Sequence, residues 1–273
     1  MSSVATTALR GRVVTPHEIL DDGLVVVTDR HIAWVGRAQD ARGAGFGRAL
    51  EAASPAPEGG YLLPGLVDVH CHGGGGESFP NAETAEQAMT AVLEHRRHGT
   101  TSLVASCVTA SGEVLRERTR VLADLCEAGE LAGIHFEGPF VSVERCGAQD
   151  PTYIVDPDAA LTRELIELGR GHVATMTIAP EKPGVTGDNG VVAALIDGGA
   201  LPSFGHTDSD AAPCAPPWPP PASPRGSRPA IPSAPRARRR RTCSTACAPC
   251  TTARPGRCRS SWRRPGAGSA WWR

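Results

Sequence analysis

The stretch Pro64-Gly65-Leu66-Val67-Asp68-Val69-His70-Cys71-His72-Gly73-Gly74-Gly75-Gly76 decides how this chain is read. A short apolar run ends in two histidines spaced by one residue. On a strand, residues i and i+2 face the same side, so the imidazoles of His70 and His72 converge while Cys71 points away, into ordinary packing. The four glycines that follow let the backbone turn tightly around whatever sits at the strand end. Convergent imidazoles suit a divalent cation such as zinc. The alternative is a histidine pair that merely closes a strand.

Two further strand ends carry ligand-type residues. His135-Phe136-Glu137-Gly138-Pro139-Phe140 follows an apolar start, and Glu137 falls where a strand meets its C-terminal loop, the face on which β/α barrels build their sites. A carboxylate there either binds metal, caps a helix or forms an ion pair. His135 shares the face of Glu137 but lies deeper, and reads as a hydrogen-bonded core histidine. In Phe204-Gly205-His206-Thr207-Asp208 a histidine again ends a strand. Asp208 either caps the next helix, the favoured reading, or orients His206.

Around these motifs the pattern from Leu62 onward is strand, loop, helix. Strands are expected at Leu66–His72, Thr101–Thr109, Gly133–Phe140, Ala174–Glu181 and Leu201–His206. Asn81 is expected to cap a helix with Ala85, Ala88, Met89, Val92 and Leu93 inward and Gly99 as its stop. Ser111 caps the next, with Val114, Leu115, Val121, Leu122 and Leu125 inward, ending at Gly129. Leu161–Leu168 and Val191–Ile196 supply two more helices. Strands alternating with helices imply a parallel sheet. Five such units are too few for a closed eight-stranded barrel, which takes about 250 residues.

Before Leu62, Gly11–Val14, Leu24–Val27 and His31–Gly36 read as short strands of a small β-domain, with turns at Asp21-Asp22-Gly23 and at Asp29-Arg30. The fold class is therefore α/β: residues 1–61 form part of a small β-domain and residues 62–212 form five β/α units. Residues 213–273 are a tail of another kind. No run of about 18 apolar residues is present, which excludes a spanning helix of ordinary length. The start, MSSVATTALRGRVV, lacks the apolar core of a secretory signal, so a cytoplasmic chain is expected.

The motifs in series resemble the amidohydrolase superfamily and, within it, the N-acetylglucosamine-6-phosphate deacetylases. The matching segments are PGLVDVHCHGGGG, GTTSLVASCVT, GIHFEGPF followed by Gly147-Ala148, TIAPE and PSFGHTD, in the family's order over about residues 8–212. The resemblance implies a TIM-type (β/α)8 metal-dependent hydrolase barrel, of which this is the N-terminal portion, with part of a small β-sandwich. It implies hydrolysis of the N-acetyl group of N-acetylglucosamine 6-phosphate, with one or two divalent ions, zinc first among them. Carried over by motif, Glu137 and His206 bind the catalytic metal, His70 and His72 a second one, and Ala148 and Gln149 touch the substrate. Gln149 stands where the family often has histidine, so it donates a hydrogen bond without carrying charge. The expected partners are a small amino-sugar phosphate and, by family, a second copy of the chain. No membrane or nucleic acid is expected.

The net charge of −1 hides two different chains. Residues 1–212 carry all 29 acidic side chains and a net charge of −14, whereas residues 213–273 carry 13 arginines and no acid. The tail also holds 13 of the 24 prolines and 5 of the 9 cysteines. Three explanations compete: a basic nucleic-acid arm, a metal module on Cys243, Cys247 and Cys250, or an out-of-frame reading. Shifting the frame by one base lets Thr242 through Cys247 be read as His-Leu-Phe-Asn-Gly-Met, a segment of the kind the family requires for another metal histidine. The frameshift is the favoured explanation. The tail is then expected to be disordered. No histidine follows His206 and no carboxylate follows Asp210, so no catalytic aspartate is assigned and the chain as written is expected to be inactive. An open half-barrel is also expected to expose apolar edges and to dissolve poorly. Two alternatives stay open: another metal-dependent amidohydrolase, and a non-enzymatic protein with a basic nucleic-acid-binding tail.

Overall fold

The computed structural model describes residues 5–29 and 31–210; the tail from 213, with its Cys and Arg clusters, lies outside the described residues. The chain divides after Leu66 into two compact units.

In the first unit, β1 (Thr6–Val14) pairs antiparallel with β2 (Ile19–Thr28), which pairs antiparallel with β3 (His31–Arg37). A short helix α1 (Gly47–Glu51) follows, and then β4 (Ser54–Pro55) and β5 (Tyr61–Leu62) both join β1 in parallel. Leu24, Val26, Ala8 and Ala41 form its small core, against which Trp34 and Phe46 stack at 5.6 Å between ring centres. The turn expected at Asp21-Asp22-Gly23 is not there; those residues lie inside β2. Cross-strand arginines explain it. Arg10 holds Asp22 through two bonds of 2.7 and 2.9 Å, and Arg12 lies 3.2 Å from Asp21. Gly23 is needed for closeness rather than for a turn, because a Cβ there would sit 2.6 Å from a methyl of Val13.

The second unit is a curled parallel sheet with helices between its strands. Its strands are β6 (Leu66–Cys71), β9 (Thr100–Cys107), β10 (Gly133–Glu137), β11 (Val173–Ile178) and β12 (Leu201–Phe204), and they lie in the order β12-β11-β10-β9-β6. A hairpin of β7 (Gly73–Gly74) and β8 (Glu77–Ser78) follows β6. The helices are α2 (Ala85–Arg97), α3 (Gly112–Glu127), α4 (Ala159–Leu168) and α5 (Val191–Asp197). The parallel sheet is the one expected from the alternation of strands and helices, and it forms part of a TIM-type barrel, as the resemblance implied. The middle strand β10 is buried along its whole length, and Ile134, Phe136, Met176, Leu122 and Leu165 pack the core.

Helix ends follow local chemistry. Ser111 caps α3 through the Val114 N–H, and Asp158 caps α4 through two N–H groups. The cap of α2 is Thr84, not Asn81. Thr84 Oγ1 accepts from the Gln87 N–H while the Gln87 side chain accepts from the Thr84 N–H, so both donors are satisfied reciprocally. Starting at Ala85, α2 buries Ala88, Ala91 and Val92 and leaves Leu93, expected inward, 42% exposed.

Among the described residues, β6 has a strand neighbour on its β9 side only. Val67 and Val69 on it are 67% and 65% exposed. An apolar strand edge of this kind is a template for self-association. Replacing Val67 and Val69 together by lysine is expected to lower light scattering of the concentrated protein while leaving its circular dichroism unchanged. In the same unit, Thr84→Ala removes the side-chain acceptor of the Gln87 N–H, leaving only the backbone half of the cap, and is expected to cost about 1 kcal/mol in denaturant unfolding.

Candidate metal centre

Three strand ends of the second unit meet at their C-terminal side. His70 lies on β6 and His72 just past it, and their Nε2 atoms are 3.1 Å apart. Glu137 is the last residue of β10. His206 follows β12 by two residues, in a left-handed backbone conformation with φ of 50°. All three imidazoles face one carboxylate. His206 Nε2 is 3.0 Å from Glu137 Oε1, His72 Nε2 is 2.9 Å from Oε2, and His70 Nε2 is 3.5 Å from Oε1.

The other ring nitrogens decide what these contacts mean. His72 Nδ1 lies 3.1 Å from the Ser106 carbonyl oxygen, and His206 Nδ1 lies 2.8 Å from that of Arg145. A carbonyl only accepts, so each Nδ1 carries a proton and donates it. In the neutral ring, Nε2 is then a bare lone pair aimed at a carboxylate oxygen that is also a lone pair. Two acceptors do not rest at 2.9 Å unless a proton or a cation lies between them. Ligating histidines characteristically give their second N–H to a carbonyl or carboxylate. A set of imidazole nitrogens and a carboxylate is a donor set for zinc and its neighbours. Edges of a tetrahedral site with metal–nitrogen bonds near 2.0–2.1 Å are about 3.3 Å long, close to the donor separations here. The residues fit a divalent cation.

The titration behaviour follows from the same contacts. Burial pushes the Glu137 carboxyl up, but the imidazoles of His70, His72 and His206, which donate to it whenever they are protonated at Nε2, outweigh it and hold the group far below the ordinary carboxylate range. Glu137 is an anion at any working pH. Its hydrogen bond raises the affinity of His72 for a proton, against the opposing effect of burial. Protons and a cation therefore compete for His72 Nε2, so cation binding weakens as pH falls.

Beneath the cluster, His135 is 2% exposed, with Ser106 Oγ and Thr177 Oγ1 each 2.9 Å from its two nitrogens. Burial first, and then the neighbouring His70, lower its pKa to about 3, so it stays neutral. It is the hydrogen-bonded core histidine that the sequence indicated. Cys71 is buried, as expected.

Two site residues sit differently from the sequence reading. Gln149, assigned to the substrate, is 5% exposed and holds Glu137 instead. Its Nε2 donates to Glu137 Oε2 at 2.9 Å, and its Oε1 accepts from the Thr109 N–H at 2.7 Å. Ala148 is exposed on the loop beside it. Asp208 does not touch His206. Its carboxylate binds the Arg145 guanidinium at 2.7 Å, and its N–H donates to Glu181. It thereby steadies the residue whose carbonyl orients His206. Ser106, Thr109 and Arg145 were missed, because each acts through a tertiary contact 28 or more residues away in sequence.

Residues 61–197 match the family model described as the Amidohydrolase family. The chain is 30% identical over 208 residues to the N-acetylglucosamine-6-phosphate deacetylase of Bacillus subtilis, covering 73% of this chain and 50% of that protein. The crystal structure of the N-acetyl-D-glucosamine-6-phosphate deacetylase of Mycobacterium smegmatis is similar, with a TM-score of 0.61 and 36% identity over 74% of this chain and 50% of that one. An aspartate-to-alanine mutant of that enzyme, in complex with N-acetyl-D-glucosamine-6-phosphate, superposes with a TM-score of 0.61 at 35% identity, over 75% of this chain and 51% of that one. The chain spans about half the length of the relatives it matches.

Gln149→Leu keeps the volume of the side chain and removes both of its hydrogen bonds. It is expected to weaken zinc binding by roughly tenfold to a hundredfold in calorimetric titration, with the fold retained.

Proposed function

Because the chain belongs to the amidohydrolase family, we propose that it is the N-terminal half of a metal-dependent N-acetylglucosamine-6-phosphate deacetylase. One observation carries the reading: His72 and His206 each give a ring N–H to a backbone carbonyl and aim the other nitrogen at Glu137. The reaction is hydrolysis of the N-acetyl group to acetate and glucosamine 6-phosphate. Glu137 and His206 would hold the catalytic cation, and His70 and His72 would hold a second one. The cation is taken as zinc and the assembled enzyme as a cytoplasmic homodimer.

When bound, the cation supplies Lewis acidity toward the amide carbonyl and makes a nearby water more acidic. The chain's own residues prepare the place. The carbonyls of Ser106 and Arg145 fix which nitrogen of each ring is free. Gln149 and Thr109 hold the Glu137 carboxylate in position. His135, kept neutral by burial, adds no positive charge beneath the site.

A carboxylate must still carry the proton from water to the departing amine. The sequence has no carboxylate after Asp210, and no histidine after His206. We read residues 213–273 as an out-of-frame stretch where the remaining β/α units belong, and the 273-residue chain alone as inactive.

The test is acetate release from N-acetylglucosamine 6-phosphate. The mass-verified 273-residue chain should show none. A chain translated in the alternative frame after codon 212, extended to the length of its relatives, should turn over, and Glu137→Gln in it should abolish activity. Turnover by the short chain, or an extended chain that hydrolyses acetylated amino acids but not the sugar phosphate, would contradict this reading.

A further inference from the structure

A second cluster of donors lies beside the first strand of the curled sheet. The carboxylate of Asp68, the thiol of Cys71 and the imidazole of His95 have donor atoms all within 4.8 Å of one another. Cys71 alternates with His70 and His72 along the strand, so its sulfur serves neither. His95 comes from the last turn of α2.

The donors crowd around one backbone oxygen. His95 Nε2 lies 3.0 Å from the Gly73 carbonyl oxygen and 3.1 Å from Cys71 Sγ, and Sγ lies 3.6 Å from that same oxygen. With a proton on Nε2, the ring N–H and the thiol both donate to that one carbonyl, whose two lone pairs are then used. A cation in their place is met by all four groups at once, because thiolate sulfur, imidazole nitrogen, carbonyl oxygen and carboxylate oxygen all donate to it.

The backbone is shaped for this approach. At Gly74 a Cβ would sit 3.0 Å from His95 Nε2. At Gly73, where φ is 141°, a Cβ would lie 2.3 Å from the Glu77 carbonyl oxygen. The glycine loop thus closes over the imidazole only because it has no side chains. Asp68 is itself oriented, its Oδ1 accepting from the His70 N–H at 3.1 Å.

We propose that Asp68, Cys71, His95 and the Gly73 carbonyl form a second cation site, separate from the Glu137 centre. It suits a divalent ion of the zinc class, borderline in softness, with one thiolate, one imidazole and two oxygens. Binding replaces the Cys71 S–H bond by a metal–sulfur bond and releases the proton to water, with no change in oxidation state. The ion clamps α2 and the glycine loop to the end of β6, and so steadies the His70–His72 pair without touching it.

Cobalt(II) reports sulfur ligation directly, through a thiolate-to-metal absorption band that a nitrogen and oxygen centre lacks. The probe protein is the full chain with Cys146, Cys214, Cys243, Cys247, Cys250 and Cys258 replaced by serine, which leaves Cys71 with the buried Cys107 and Cys126. Titration should give one thiolate-bound cobalt per chain. Cys71→Ser should abolish the band, and Asp68→Asn and His95→Gln should each weaken cobalt binding tenfold or more. A chain carrying both His72→Ala and Glu137→Gln should keep the band. Absence of the band while Cys71 is present would overturn the proposal. So would its survival in Cys71→Ser, indifference to both Asp68→Asn and His95→Gln, or its loss with the Glu137 centre.

Discussion

A buried carboxylate facing three imidazole nitrogens is the constraint on which the second unit turns. Glu137 has left water at the end of the central strand, and its charge has to be met. Two of the rings that meet it are already committed through Nδ1 to backbone carbonyls, so only their Nε2 atoms are available. That arrangement has little value in a protein without a cation. With one, every contact becomes favourable, and the surrounding hydrogen bonds can be read as support for it.

The supports come from elements far apart in sequence. Ser106, at the end of β9, uses its carbonyl on His72 and its hydroxyl on both His135 and the Cys71 backbone. Thr109 donates to the Glu137 carbonyl oxygen and to the Gln149 side chain, tying β9, β10 and the loop after β10 together. The Thr109 hydroxyl approaches so closely that a Cβ at Gly138 would sit 2.1 Å from it. Arg145 reaches His206 by its carbonyl and Asp208 by its guanidinium. The parallel sheet matters because it brings the C-terminal ends of its strands to one side, where short loops can carry these contacts.

Much of this was legible in the chain itself. The two-residue period of a strand places His70 and His72 together whatever the rest does, and the strand ends at Glu137 and His206 follow from apolar runs that stop at a polar residue. The depth of His135 came from the same period. Other features depend on partners that local pattern does not show. Asp21 and Asp22 look like a turn until Arg10 and Arg12 are seen across the strand. Thr84 outcompetes Asn81 as a cap because Gln87 answers it three residues on, a signal present in the sequence but overlooked. Gln149 looks like a substrate contact by position in a motif. Only the fold shows that its amide is already engaged between Glu137 and Thr109.

In this arrangement the bare nitrogens of His72 and His206 take a cation. Long-range proton–nitrogen correlation spectra of the histidine rings, recorded at neutral pH before and after adding zinc, test it most directly. The account predicts that in the zinc-bound chain both rings keep the proton at Nδ1, carry none at Nε2, and show a large shift of the Nε2 resonance. Rings that remain protonated at Nε2 in the presence of zinc, or that do not respond to it, would contradict the account.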